Sequence, residues 1–255
     1  MATFVMVLFA LWQRWSGPTY PRRATIEVGG AAVPVKLIRT HGGEGDQPVR
    51  IAAPDSTITG AITWRRFPTD DPWQTTRLTR EGDTLAGALP HQPPAGKLEY
   101  RITLRRVGEE TTWPDPPVVT RFKGDVPLWV LLPHIAAMLL TLLFTARTGI
   151  AALTREPAMR RYARMTAGTL LVGGFILGPL ALRYAFGQWW EGVPLGWDLT
   201  DNKTFIAGIA WAWAILRLRG GREARGAIFA AAVVTLAVFA VPHSLFGSQV
   251  DWRTQ

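Results

Sequence analysis

The chain is predicted to be an α+β membrane protein with an N-terminal anchor helix, an immunoglobulin-like antiparallel β-sandwich and a four-helix transmembrane bundle. Three observations predict it. Four apolar stretches fill the C-terminal half, at 126–146, 165–182, 204–218 and 226–246. The hundred residues before them alternate apolar and polar side chains between turn signals. The segments joining the apolar stretches alternate in charge. A helix needs about 20 apolar residues to cross a hydrocarbon core of roughly 30 Å. The first and last stretches reach that length, and the middle two are shorter. The predicted domains are therefore 1–19, a transmembrane anchor; 20–124, a periplasmic β-sandwich; and 125–255, a four-helix transmembrane domain.

Composition supports the division. The 255 residues carry a net charge of +9 and no cysteine. A mean hydropathy of +0.10 averages two unlike halves. The lack of cysteine excludes disulfides, thiolate metal sites and cysteine nucleophiles. The arginines are clustered. Arg147, Arg155, Arg160, Arg161 and Arg164 lie between the first two stretches, and Arg217, Arg219, Arg222 and Arg225 lie before the last. The segment between the second and third stretches carries Glu191, Asp198 and Asp201 instead. Short loops rich in Arg and Lys stay in the cytoplasm. The basic segments are thus predicted inside, the acidic one outside, and the protein in the bacterial inner membrane. Arginines that flank membrane spans account for the basic charge without nucleic acid as a partner.

Taken in order, Met1 to Trp15 reads as a short anchor. It lacks the charged n-region and A-x-A site of a cleaved signal peptide, and Trp12, Trp15 and Tyr20 suit an interface. In 24–123, Val33, Val35 and Leu37 alternate with polar or exposed positions, as do Leu98, Tyr100, Ile102 and Leu104. This period of two marks half-buried strands. Turn signals at Gly29-Gly30, Gly42-Gly43, Asp70-Asp71-Pro72, Glu81-Gly82-Asp83 and Pro93-Pro94 divide the region into about seven strands. Trp64 is the expected buried aromatic. Pro114, Pro116 and Pro117 point to an edge. The apolar half must be helical, because unpaired backbone groups cannot face lipid. Gly174 and Gly178 form a G-x-x-x-G pair, which predicts close helix packing.

Few residues offer chemistry. His134 and His243 each follow a proline in an apolar stretch, and an ionisable side chain there is a functional candidate. They are the candidate cofactor-binding residues. Imidazole could ligate a haem iron or, by analogy, a chlorophyll magnesium. The competing reading has both histidines merely ordering the helix ends, bonded to interfacial water or to carbonyls that Pro133, Pro179 and Pro242 free at Trp129, Phe175 and Val238. The string Asp198-Leu-Thr-Asp-Asn-Lys-Thr204 offers Asp198, Thr200, Asp201 and Lys203 for helix capping, with Thr200 or Asp201 as the cap, or for docking on the outer face. Trp64-Arg65-Arg66-Phe67 offers cation–π pairs. No nucleophile elbow, Walker or Rossmann glycine pattern or H-E-x-x-H is present. The chain is therefore expected to be no enzyme, to bind no soluble substrate and to need no metal.

The strings GGFILGPLALRYAFGQWWEGVPLGWDLTDNKTFIAGIAW, PPAGKLEYRITL, RFKGDVPLWVLLPHI and VPHSLFGSQVDW resemble a family of bacterial membrane proteins that share an anchor, an outer sandwich and four helices. The family has no assigned activity to transfer. The layout also resembles accessory subunits of bacterial photosynthetic reaction-centre and light-harvesting complexes. That resemblance implies a structural role beside other membrane-protein subunits, with lipid or pigment contacts and no cofactor of its own. The alternative reading is a small transporter or ion-handling protein with an outer-leaflet polar pocket.

Overall fold

A computed structural model gives an α+β protein, and it describes residues 1–219, 224–242, 247 and 250. The chain divides into two compact units. One is a β-sheet domain over 19–125. The other joins residues 1–18 to the helices that follow Val126.

The β domain contains ten strands: β1 (Arg22–Val28), β2 (Ala31–Leu37), β3 (Thr40–Gly42), β4 (Gln47–Ala52), β5 (Thr59–Arg66), β6 (Gln74–Arg77), β7 (Thr79–Glu81), β8 (Thr84–Leu89), β9 (Lys97–Arg106) and β10 (Glu109–Lys123). They form a β1-β2 hairpin, a five-stranded sheet in the order β3-β10-β9-β5-β6 and a three-stranded sheet in the order β4-β8-β7. One sandwich-like core joins all three. It is built from the inward residues of each alternating strand, among them Val33, Val35 and Leu37 of β2 and Leu98, Tyr100, Ile102 and Leu104 of β9. Burying each such side chain is worth about 1.5–3 kcal/mol, so strict alternation fixes the register. The β1-β2 hairpin turns on Gly29 and Gly30, both with positive φ (51° and 75°). A two-residue turn of this kind matches the twist of the strands it joins and favours glycine.

Two sequence expectations change here. Trp64 is only half-buried at the margin of the core, while Tyr100 and Phe122 are fully buried. The Tyr100 hydroxyl donates to the Ile38 carbonyl at 2.6 Å, which provides the partner a buried phenol requires. The prolines at 114, 116 and 117 do not end the sheet. They sit in a register shift between Trp113 and Val118, beyond which β10 pairs with β9 again. A bulge removes residues from the ladder, so the missing N–H groups cost no strand hydrogen bonds.

The helical unit contains α1 (Ala2–Ser16), α2 (Leu128–Leu153), α3 (Met159–Leu170), a π-helical segment (Leu171–Leu177), α4 (Gly178–Phe186), α5 (Leu199–Leu218) and α6 (Arg225–Ala240). α3, the π segment and α4 run on as one helix over Met159–Phe186. That helix and α2 are long and apolar enough to cross a membrane. Within this chain, 28% and 22% of their apolar windows are buried. The last apolar stretch is shorter than its sequence suggests. α6 stops at Ala240, with Val241 extended ahead of Pro242. Pro242 therefore lies beyond the helix and frees no carbonyl at Val238. Between helices, Thr148 and Thr166 hydroxyls meet at 3.1 Å, and Trp211 Nε1 donates to Thr235 Oγ1 at 2.9 Å. Near the end of α2, both Nη atoms of Arg147 donate to the carboxylate of Glu156 in the basic segment that follows, Nη1 at 3.1 Å.

Candidate functional site

The distinctive polar string lies at the entry to α5. Asp198, rather than Thr200 or Asp201, is the helix cap. Its carboxylate accepts from the backbone N–H of Thr200 at 2.7 Å and of Asp201 at 3.2 Å. Aspartate at this position satisfies donors that the first turn leaves open and meets the positive helix terminus. Thr200 is placed one turn before Thr204, whose hydroxyl donates to the Thr200 carbonyl at 3.3 Å.

Asp201 and Asn202 reach back to the preceding loop. Asp201 Oδ2 accepts from the Glu191 N–H at 2.7 Å, and Asn202 Oδ1 accepts from the Val193 N–H at 2.8 Å. Glu191 also takes the Asp198 N–H on its backbone carbonyl at 2.8 Å. The Trp190 indole then stacks on Phe175 at 6.0 Å between centroids, and Phe205 meets it edge-on at 6.5 Å. The loop is thus folded onto its own helix by side chains that look, in sequence, like open ligands.

Lys203 is buried, with 3% of its surface exposed. Its Nζ donates to the carbonyls of Val241 at 2.9 Å and Pro242 at 3.2 Å. From α1, Trp12 Nε1 donates to the Ala240 carbonyl at 2.7 Å. Gln13 Nε2 donates to Val241 at 3.0 Å and also to Phe239. The last carbonyls of a helix have no partner within it. Side chains of α1 and α5 fill that need for α6, and the ammonium also favours the negative end of its dipole. Periodicity gave no signal for this closure. A lysine one residue before an apolar run was the only trace of it.

His134 sits within α2 and its Nδ1 lies 2.9 Å from the Gly173 carbonyl. A carbonyl can only accept, so Nδ1 carries the hydrogen. The partner belongs to neither carbonyl freed by Pro133 or Pro179. It is a carbonyl of the π segment, which also accepts from the Gly178 N–H. Pro179 explains the widened turn: it has no N–H to offer Phe175, and a bond five residues back replaces the regular ladder. His243 lies outside the described residues. Among those described, no group of three or more His, Asp or Glu could hold a metal ion.

The glycine pair divides its contacts. A Cβ on Gly174 would lie 2.7 Å from Thr204 Cγ2 of α5, whereas one on Gly178 would lie 3.7 Å from His134 Cε1 of α2. Gly173, the small residue next to the pair, makes the closest approach to α2, 2.9 Å from Ala137 Cβ. A π turn rotates residues out of the i, i+4 row, so the two glycines face different neighbours.

In the β domain, the cation–π partner of Arg65 is Trp73 rather than Trp64. Arg65 and Arg101 stand 4.6 and 4.9 Å from the Trp73 ring centre. No family model matches the chain, and no curated protein matches its sequence. A solved structure described as "Crystal structure of Br derivative BhCBM56" aligns over 35% of this chain and 89% of its own, at 12% identity and a TM-score of 0.27. At that score the alignment does not establish a shared fold.

Proposed function

We propose that the chain is a non-catalytic structural subunit of a larger complex in the bacterial inner membrane. In this reading α1, α5 and α6 cross the bilayer alongside the two longer helices, so that α2 to α6 build a four-helix bundle. The β domain is an immunoglobulin-like sandwich on the periplasmic side. One observation carries the reading: among the described residues, four of the polar side chains singled out as site candidates are spent on internal bonds, while large apolar side chains are left uncovered. His134, Asp198, Asp201 and Lys203 each hold backbone of this same chain. Leu128, Trp129, Leu132 and Ile135 of α2, and Ile206, Ile209, Trp213 and Leu216 of α5, are exposed. Exposed apolar patches of this extent mark lipid or subunit contacts. A photosynthetic reaction-centre–antenna assembly as the host, with its pigments nearby, rests on the resemblance alone.

Purification in mild detergent after in-cell crosslinking tests the proposal. The expected result is a stoichiometric membrane-protein partner whose crosslinks map to α2 or α5. A chain recovered only as a free monomer, with no crosslinked partner, overturns it.

A further inference from the structure

The outer face of the five-stranded sheet has more cations than it can neutralise. Arg65 pairs with Glu99, and Arg105 pairs with Glu110 at 2.6 Å. Among the described residues, Arg77 and Arg101 form no ion pair. The strand register sets these two on either side of β5, one row apart. Arg77 of β6 lies opposite Ala61 of β5, which lies opposite Thr103 of β9. In the next row Thr75 lies opposite Thr63, which lies opposite Arg101. Residues directly opposite share a face. The two arginines therefore flank β5 where it carries only small side chains, Ala61 and Thr63.

Arg101 is also held in place. Trp73 precedes β6, on the far side of β5 from β9. With its guanidinium 4.9 Å from the Trp73 ring centre, Arg101 must reach across β5. A cation over an aromatic face is favourable and fixes the fork of donors. The hydroxyls of Thr63 and Thr75 lie 3.5 Å apart. Each can turn its hydrogen towards a third atom. Two guanidinium forks and two rotatable hydroxyls make a donor-rich floor, and arginine forks suit the oxygens of phosphate.

We propose that this face binds a phosphate ester between Arg77 and Arg101, over Ala61 and Thr63. The ester could be a soluble phosphate compound or the headgroup of an acidic lipid, and both present the same oxygens.

Calorimetric titration of the full chain in a neutral detergent tests this with glycerol 1-phosphate and with dihexanoyl phosphatidic acid, which carries the same ester on acyl chains. Binding on the order of millimolar is expected for a small ligand at an open face. Equal affinity for both probes assigns a soluble ester, and binding of the acylated probe alone assigns a lipid headgroup. In either case the double variant Arg77→Gln, Arg101→Gln should bind at least about tenfold more weakly, because two charged hydrogen-bond donors are lost. Thr63→Val, of the same shape, should weaken binding severalfold if the double variant fails to fold. Arg50→Gln, on the other sheet, should bind as the native chain does. No binding of either probe, or binding that these variants of the proposed site leave unchanged, overturns the proposal.

Discussion

At the residue scale, polar side chains such as Asp198, Asn202 and Lys203 hold backbone of their own chain. Asp55 shows how this couples to pH. Its carboxylate accepts from Thr57 Oγ1 at 2.6 Å and Thr57 N–H at 2.8 Å, and Arg106 Nε donates to it at 2.7 Å. The Thr57 hydroxyl and N–H, then Arg106, hold the Asp55 carboxyl below its ordinary range. A carboxyl depressed in the folded state stabilises the fold above its unfolded pKa, about 3.9. That contribution is lost as pH falls through the lower, folded value. The β domain should therefore lose part of its stability below about pH 4. Asp55→Asn removes this titration. Thermal melts of the two proteins should differ at pH 7 and converge towards pH 2. A gap that stays constant over that range means that Asp55 does not titrate as described. No sequence pattern marks Asp55, because Arg106, 51 residues away, is brought to it only by the fold.

At the element scale, strands were more legible than helix ends. Alternation in β2 and β9 marked which residues face inward, since burial on one face requires a period of two. Trp64 fitted the same pattern yet ended at the core margin, because alternation assigns a face and not a depth. The G-x-x-x-G pair shows a different limit. Reading Gly174 and Gly178 as one packing stripe assumes 3.6 residues per turn, and the π segment breaks that assumption. The structure gives distinct outcomes for two glycines of this helix. A Cβ on Gly174 meets Thr204 Cγ2 at 2.7 Å, and one on Gly168 meets nothing within 4 Å. Gly174→Ala should cost about 1–3 kcal/mol through overpacking. Gly168→Ala should be neutral or stabilise by up to about 1 kcal/mol, from helix propensity. Detergent-induced unfolding followed by circular dichroism measures both. Equal effects would mean that α5 does not pack against Gly174.

At the scale of the whole molecule, the proposed orientation rests on charge. The +9 net charge is concentrated in segments next to apolar helices, where the rule for short basic loops places them in the cytoplasm. Arg147, in the last turns of α2, pairs with Glu156 in the basic segment that follows. If that segment is inside, α2 enters from outside, and the β domain that precedes it must be periplasmic. The native chain has no cysteine, so single cysteines report position without background. Val107 is 81% exposed at the turn between β9 and β10. Arg160 is exposed near the start of α3. A membrane-impermeant maleimide should label Val107→Cys in intact spheroplasts and Arg160→Cys only after lysis. The reverse pattern would place the arginine segments outside. The β domain would then be cytoplasmic, and a periplasmic partner could not be its neighbour.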